Sequence, residues 1–208
     1  MDGVLVDSEE YILKAAMEFF HELGIETQPE DFTPFVGAGE NRYIGGVAEQ
    51  YGIEIEIESA KRRTYEIYDE LCRGKLPPMD GVIPFVDWCR SLGIKLAVAT
   101  SADETKMLIN LREIGLPPDQ FDYMVNGIQV ERKKPYPDIY QMAAAGIGLS
   151  PDECIVVEDA VNGLQAGKAA GAYCIGVTSS FTPDVLAGAG ADRVVHTLQE
   201  LVGDASLF

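Results

Sequence analysis

The chain begins with the segment Met1-Asp2-Gly3-Val4-Leu5-Val6-Asp7-Ser8, which leads directly into a helical pattern. The spacing Asp7-x-x-Glu10 resembles a capping box, in which side chains satisfy the free backbone N–H groups at the start of a helix. Apolar residues then recur at helical spacing until Gly24, namely Ile12, Ala15, Ala16, Phe19, Phe20 and Leu23. The segment therefore predicts a short carboxylate-bearing connection that leads into a first amphipathic helix.

Helical patterns continue to about Cys72. The apolar positions that carry them are Ile44, Val47, Ala48, Tyr65, Tyr68, Leu71 and Cys72. Strand-like segments are nearly absent before residue 76, apart from the ambiguous run at 53–57. We predict that residues 9–76 form a helical unit.

The sequence changes character at Leu76-Pro77-Pro78-Met79-Asp80-Gly81, since clustered Pro and Gly mark a boundary or hinge. Beyond it, apolar strand-like runs at 94–100, 123–125, 154–157 and 173–177 alternate with helical patterns at 82–92, 103–114, after Pro137 and at 161–170. Apolar strands that alternate with helices indicate a parallel sheet covered on both faces. The predicted fold class is α/β, with a core of residues 1–8 and 77–208.

Polar residues follow the predicted strands at the edge where such sheets bind ligands. Thr100 and Ser101 follow one strand, Glu158 and Asp159 follow another, and Lys134 lies between them in the chain. Each has a simpler explanation alone, because the hydroxyls and the carboxylates could cap helices and the lysine could be a solvated loop charge. Their joint occurrence at successive strand ends favours a functional site.

This set of side chains suits metal-assisted phosphoryl transfer. Carboxylate oxygens are the ligands that Mg²⁺ prefers, and the ion would offset repulsion between an anionic nucleophile and an anionic ester. A hydroxyl and a lysine would hold the phosphoryl oxygens. A carboxylate nucleophile would form an aspartyl-phosphate, and a second carboxylate would move protons to the leaving oxygen and from water.

The whole chain resembles the haloacid dehalogenase superfamily, in its β-phosphoglucomutase-like subfamily, whose first motif reads hydrophobic-Asp-x-Asp-Gly-x-x-x-Asp-Ser/Thr. The resemblance implies a Rossmann-like parallel core with an inserted helical cap, residues 9–76, that closes over the site. It implies a general acid/base at Asp2, which would also bind Mg²⁺ through its backbone carbonyl. The further matches are Thr100 as the second-motif hydroxyl, Lys134 as the third-motif lysine, Glu158 and Asp159 as metal ligands, and Asp7 and Ser8 as structural caps of the first cap helix.

The same motif implies a nucleophilic Asp immediately before Met1, because Met1 matches x and Asp2 matches the second Asp. In this fold the strand that carries the nucleophile lies at the centre of the sheet. Leaving its place empty would bury unpaired backbone groups, at about 1–3 kcal/mol each. We therefore expect roughly five apolar residues and an Asp ahead of Met1 in the working protein.

The cap is expected to select the substrate, mainly through the loop that runs from Phe35 to Arg42. A Gly-rich turn between two helices would give the same pattern. The candidate substrate-binding residues are Gly37, Glu40, Asn41, Arg42, Arg63 and Ser101.

Two departures from the subfamily bear on the reaction. Glu40 occupies the position at which sugar-phosphate mutases place an arginine for the distal phosphate, and Ile12 lies near the position of a catalytic histidine. Because a glutamate repels a second phosphate, hydrolysis of a small phosphorylated metabolite, by resemblance a sugar phosphate, is the preferred reaction. A phosphosugar mutase and a non-catalytic module that binds Mg²⁺ and phosphate stay open as alternatives.

Composition limits the partners. The chain has 208 residues, of which 47% are hydrophobic, and a net charge of −18. An acidic field of this size argues against nucleic acid and anionic membranes as partners. No apolar run approaches the roughly 18 residues that span a bilayer. The cysteines show no CxxC pairing, so we expect free thiols in a reducing compartment; they are Cys72, Cys89, Cys154 and Cys174. We also expect the protein to be a monomer, located in the cytoplasm or an organelle interior.

Overall fold

A computed structural model describes residues 1–36 and 39–207 of the chain. The first part of it is helical. It contains α1 (Glu9–Glu22), α2 (Pro29–Phe32), α3 (Glu40–Gln50) and α4 (Ile57–Cys72). The ambiguous run at 53–57 forms no strand and leads into α4, whose first turn is capped by the Glu56 side chain through the Ser59 N–H at 2.8 Å.

The helices of this part pack through apolar faces. Helix α1 lies along α4 and buries the predicted apolar positions from Ile12 to Phe20. Leu23, which was also predicted to lie on this face, follows the helix as its C-cap residue and is exposed. The Phe20 ring contacts Phe32 of α2 edge-on at 6.0 Å, and Phe32 contacts Tyr43 of α3 at 5.2 Å. These contacts join all four helices into one layer, and we retain residues 9–76 as a proposed cap.

The predicted capping box at the start of α1 is wrong. The N-cap position is Ser8, and neither it nor Asp7 satisfies the first turn of the helix by a side-chain hydrogen bond. The Ser8 hydroxyl instead donates to the Asp2 carboxylate. The hydroxyl is therefore oriented towards Asp2 and not towards the first-turn N–H groups of α1.

The second part alternates helices and strands, as predicted. The helices are α5 (Val82–Ser91), α6 (Glu104–Glu113), α7 (Asp138–Gly146), α8 (Val161–Ala170) and α9 (Pro183–Gly188). The strands are β1 (Ala97–Ala99), β2 (Tyr123–Val125), β3 (Ile155–Glu158), β4 (Tyr173–Val177) and β5 (Arg193–Val195). All pairings between these strands are parallel, which confirms the α/β fold class.

The strands form two separate sheets. Strand β1 pairs with β2, with Val98 opposite Met124. Strands β3, β4 and β5 pair in that order, with Val157 opposite Ile175 and Gly176 opposite Val194. Within the described residues, β1 and β3 each keep one edge without a strand partner.

A cavity of about 270 Å³ lies between these two edges. We call it the inter-sheet slot. Its sides are the strand residues 96–99 and 155–157, and its lining is mainly apolar. Met1, Val4 and Leu5 also line it, so the opening segment of the chain lies against the slot.

Two further predictions can be checked in the fold. All four cysteines are free, and Cys72, Cys89 and Cys174 are buried, as expected. No helix in the described part of the chain is long and apolar enough to cross a membrane.

Candidate active site

Glu158, the last residue of β3, is the most buried carboxylate of the site, with 4% of its surface exposed. Its Oε1 forms an ion pair with the Lys134 ammonium and accepts a hydrogen bond of 2.5 Å from the Tyr140 hydroxyl. Burial raises the pKa of Glu158, but Lys134, the Met1 amino group and Tyr140 outweigh it and bring the pKa to about 2. Glu158 is therefore held ionised.

Asp159 is the adjacent carboxylate, and its pKa is shifted in the opposite direction. Its Oδ2 accepts a hydrogen bond from the Ser180 hydroxyl. Burial, together with the charge of Glu158, raises its pKa despite that hydrogen bond. Two neighbouring buried carboxylates with opposed pKa shifts form a pair that a bound cation would stabilise.

Glycines allow the backbone to approach these carboxylates. Gly3 has a φ of 70°, and a Cβ at this position would collide with the Asp159 carboxylate. A Cβ at Gly163, in α8, would collide with the Glu158 carboxylate. The segment around Asp2 and the helix after β3 therefore both close on the carboxylate pair.

Asp2 lies beside this pair and is held on both of its oxygens. The Ser8 hydroxyl donates to Oδ1, and the Asn110 side-chain amide lies 3.4 Å from the same oxygen. The ammonium of Lys106 lies 3.3 Å from Oδ2. Burial raises the pKa of Asp2, but Lys106 and the hydrogen bonds outweigh it, so the pKa is below its ordinary value.

Thr100 and Ser101 follow β1, as predicted. Thr100 is buried, its N–H donates to the Val125 carbonyl at 3.0 Å, and its Oγ1 accepts from the Ala102 N–H at 3.2 Å. The hydroxyl proton remains available to an incoming oxygen. Ser101 is half-buried and lies beside Gly127.

The candidate cap residues differ in their burial and in the residues that bind them. Glu40, the first residue of α3, is buried. Asn41 is exposed, and Arg42 is bound to Glu49 at 2.7 Å and lies over the Phe35 ring. Arg63 is held by Glu22 at 2.6 Å and Glu66 at 2.9 Å on an exposed face of α4. Of these residues the structure brings only Glu40 towards Asp2; Gly37 lies outside the described residues.

Four residues of the site were missed by sequence reasoning: Lys106, Asn110, Tyr140 and Ser180. Lys106 and Asn110 are four residues apart on α6, so they share a helix face, but nothing in the sequence placed that face against Asp2. Ser180 belongs to the polar loop after β4, and Tyr140 lies on α7. Their roles come from tertiary contacts alone.

The oxygen donors of the site suit a hard divalent cation in their chemistry. In residues 1–36 and 39–207, however, no three His, Cys, Asp or Glu side chains converge as a metal cluster. The reason is visible at Asp2, whose carboxylate points to Ser8 and Lys106. A cation here would need Glu158, Asp159 and oxygens other than the Asp2 side chain.

Comparisons with known proteins identify the family of the chain. Residues 1–177 match the family described as haloacid dehalogenase-like hydrolase. The chain is 39% identical over 197 residues to Protein SUPPRESSOR OF QUENCHING 1, chloroplastic, of Arabidopsis thaliana, with 93% of this chain covered. It spans only 19% of the length of that plant protein. It is 30% identical over 210 residues to Phosphorylated carbohydrates phosphatase of Thermotoga maritima, which covers 97% of each chain.

A solved structure shows the same fold. The structure of CbbY from Rhodobacter sphaeroides in complex with phosphate has a TM-score of 0.84 and 28% identity, and covers 97% of this chain and 93% of that one. The overall fold is thus shared with a relative of nearly the same length. The chain belongs to the haloacid dehalogenase-like hydrolase family, in its β-phosphoglucomutase-like subfamily.

Proposed function

We propose that this chain carries the active site of a Mg²⁺-dependent phosphatase that hydrolyses a small phosphorylated metabolite, and that a sugar phosphate is its substrate. The observation that carries the proposal is the group formed by the Glu158 and Asp159 carboxylates at the end of β3, the Lys134 ammonium that pairs with Glu158, and Asp2 of the opening segment. The relative named as a phosphatase of phosphorylated carbohydrates supports the substrate class.

The nucleophile belongs to the residue that precedes Met1 in the motif. The Met1 backbone nitrogen, to which that residue would be joined, is buried and lies under the electrostatic influence of Glu158, Lys134, Asp2 and Asp159. The inter-sheet slot is apolar and has an open strand edge on each side. A strand of apolar residues that fills the slot and ends in Asp would deliver a carboxylate to this centre.

Glu158, Asp159 and the Asp2 carbonyl are the oxygens that would hold Mg²⁺. The ion would screen the charge of the substrate phosphate and polarise its phosphorus–oxygen bonds. The fit rests on the carboxylate pair, because burial and the neighbouring Glu158 charge raise the pKa of Asp159, and a bound cation would oppose both effects. Gly3 keeps the backbone close enough to Asp159 for a shared ligand.

Lys134 and Thr100 would bind the transferring group. The Lys134 ammonium is already oriented by Glu158 and by the Tyr140 ring, whose centroid is 5.0 Å away. It would neutralise charge that develops on the phosphoryl oxygens. The Thr100 hydroxyl, with its oxygen already accepting a backbone N–H, would donate to another of those oxygens.

Asp2 would move the protons. Its carboxyl would protonate the leaving oxygen as the aspartyl-phosphate forms, and its carboxylate would then accept a proton from the attacking water. Lys106 favours the ionised form of Asp2, which is the form the second step needs. The negative charge of an arriving phosphate would favour proton uptake for the first step.

The test is Mg²⁺-dependent phosphate release from 4-nitrophenyl phosphate. The chain of 208 residues is compared with the same chain joined to its natural upstream residues. We expect turnover only in the longer protein, and its loss in Asp2→Asn and Asp159→Asn. The exposed Asp152→Asn variant is the matched control and should retain activity.

No phosphate release from a folded, Mg²⁺-binding longer protein would contradict the proposal. Such a result would favour a binding module or a mutase of narrow specificity. The buried Glu40 carboxylate already opposes a mutase, because a bisphosphate would place its second phosphate near that charge.

A further inference from the structure

A second cavity, of about 550 Å³, lies in the helical part of the chain, and the residues that line it all lie outside the candidate active site. We call it the helical groove. One wall is a stripe of α1 formed by Lys14, Met17, Glu18 and His21, whose spacing places them on one face of the helix. The volume falls within the range of about 300–1,000 Å³ that is typical of small-molecule sites.

Another wall of the groove belongs to α4, which lies along α1. It consists of Ile67, Glu70 and Leu71. Ile67 is buried, while Leu71 and Met17 of α1 are half-buried, so apolar side chains line the seam between the two helices. Seams of this kind are a common place for ligand sites in helical proteins.

Thr27, in the segment between α1 and α2, also lines the groove. It is 4% exposed, and its hydroxyl oxygen has no hydrogen-bond partner among residues 1–36 and 39–207. Buried polar atoms are normally paired. An unpaired hydroxyl at the wall of a cavity therefore indicates a place for a polar group of a ligand.

The basic side chains of the groove are already occupied. The Lys14 ammonium lies 2.5 Å from the carboxylate of Glu10. The His21 Nδ1 lies 2.8 Å from the Oε1 of Glu26. Neither side chain leaves an uncompensated positive charge that would hold an anionic ligand.

Two acidic side chains, one on each helix, are not occupied. Glu18 and Glu70 are exposed and have no ion-pair partner in the described part of the chain. Within the same part, the acidic side chains and the histidine of the groove do not converge as a metal cluster. Carboxylates separated by apolar surface suit a cation whose charges are separated by methylene groups, rather than a metal ion.

We propose that the helical groove binds a linear aliphatic diamine or polyamine. Its methylene groups would lie on the apolar side chains of the two helices, and its ammonium groups would pair with Glu18 and Glu70. An ammonium N–H would also donate to the free hydroxyl oxygen of Thr27. The site does not depend on the phosphatase reaction, because no residue of the groove takes part in it.

Calorimetric titration of the full-length natural protein with spermidine tests the proposal. Glu18→Gln and Glu70→Gln each remove one exposed charge and should weaken binding by about two- to fivefold, the effect expected of an exposed ion pair. The double variant should weaken it by about tenfold. Glu54→Gln is the matched control, because it removes the same charge from an exposed residue between α3 and α4, and it should keep the wild-type affinity.

The position of binding is checked by NMR of protein with ¹³C-labelled methionine methyl groups. A net charge of −18 also attracts spermidine without a specific site, so the measurement must locate it. The Met17 methyl resonance should shift during the titration, whereas that of Met142, on α7, should not. Absence of binding, equal shifts of the two resonances, or the same affinity in Glu54→Gln and in the double variant would overturn the proposal.

Discussion

The Lys106 ammonium lies 3.3 Å from the Asp2 carboxylate oxygen Oδ2, although the two residues are 104 positions apart in the chain. Asp2 belongs to the opening segment and Lys106 to the first half of α6. Because Lys106 is buried and the Asp2 side chain is only 22% exposed, the charge of one is felt by the other with reduced screening. The relationship makes α6 a supporting element of the acid/base group.

Removing that charge should change the pH dependence of the reaction. In Lys106→Met the cation that lowers the pKa of Asp2 is gone, so the pKa rises under the effect of burial. The acidic limb of kcat, as far as the hydrolysis step that needs ionised Asp2 sets it, should move to higher pH. The measurement is a pH profile for 4-nitrophenyl phosphate in the protein with its upstream residues. The exposed Lys14→Met should leave the limb in place.

Lys134→Met should destabilise the fold strongly. Loss of the ammonium leaves the Glu158 carboxylate buried with only the Tyr140 hydroxyl as its close side-chain partner. Removing one member of a buried ion pair costs about 3–5 kcal/mol in the free energy of unfolding. Urea denaturation at pH 7 measures it. Lys14→Met, at an exposed ion pair, should have a much smaller effect, and equal effects of the two changes would contradict the burial argument.

The same pair predicts how stability depends on acid. Glu158 has a pKa of about 2 in the folded protein and 4.5 as its ordinary value. A lowered folded pKa contributes stability that is complete above about pH 4.5 and is lost as the pH falls towards 2. The difference in unfolding free energy between wild type and Lys134→Met should therefore shrink below pH 4.5. Urea titrations at pH 7, 4 and 3 check this, and a constant difference would contradict the pairing.

Gly3→Ala should damage both stability and the carboxylate pair. An alanine here has an unfavourable positive φ and places its Cβ against the Asp159 carboxylate. Gly24 offers a matched control, because its φ is 78° and nothing lies within 4 Å of an added Cβ. Gly24→Ala should cost about 1–2 kcal/mol from backbone strain alone. Gly3→Ala should cost more and weaken Mg²⁺ binding, as thermal unfolding with and without Mg²⁺ would show.

Tyr140→Phe should isolate one hydrogen bond of the site. The hydroxyl donates to ionised Glu158, and hydrogen bonds to charged groups contribute about 1.5–3 kcal/mol to stability. The variant keeps the aromatic ring that lies 5.0 Å from the Lys134 ammonium. We expect a loss in this range by urea denaturation. No loss of stability would show that the ring, and not the hydroxyl, matters.

Regular patterns in the sequence predicted much of the fold. The apolar face of α1, the strands at 123–125 and 173–177 and the helix at 161–170 all follow from local periodicity, and each is present. Ser8 shows where local reasoning stops. Its sequence context favours a helix cap, but a distant set of contacts brings Asp2 to it and changes its partner.

The site was predictable to a similar degree. Glu158 and Asp159 were found because they end a strand, and strand ends converge by topology. The helical spacing of the residues around Lys106 and Tyr140 indicates that these side chains point inward. It does not indicate which residues they contact. Arg63 had the right charge for a substrate, yet α4 carries it on the face that meets Glu22.

The division of the strands into two sheets has a consequence for the distance between the groups of the candidate active site. Thr100 directly follows β1 of one sheet, while Glu158 is the last residue of β3 in the other sheet. Adjacent strands are about 4.8 Å apart, so one strand held between β1 and β3 would set their axes about 10 Å from each other. In the proposed enzyme, the distance between the phosphate-binding and metal-binding groups would then be set by apolar packing beneath them. A larger or smaller side chain in the slot would change that distance without altering any residue that touches substrate.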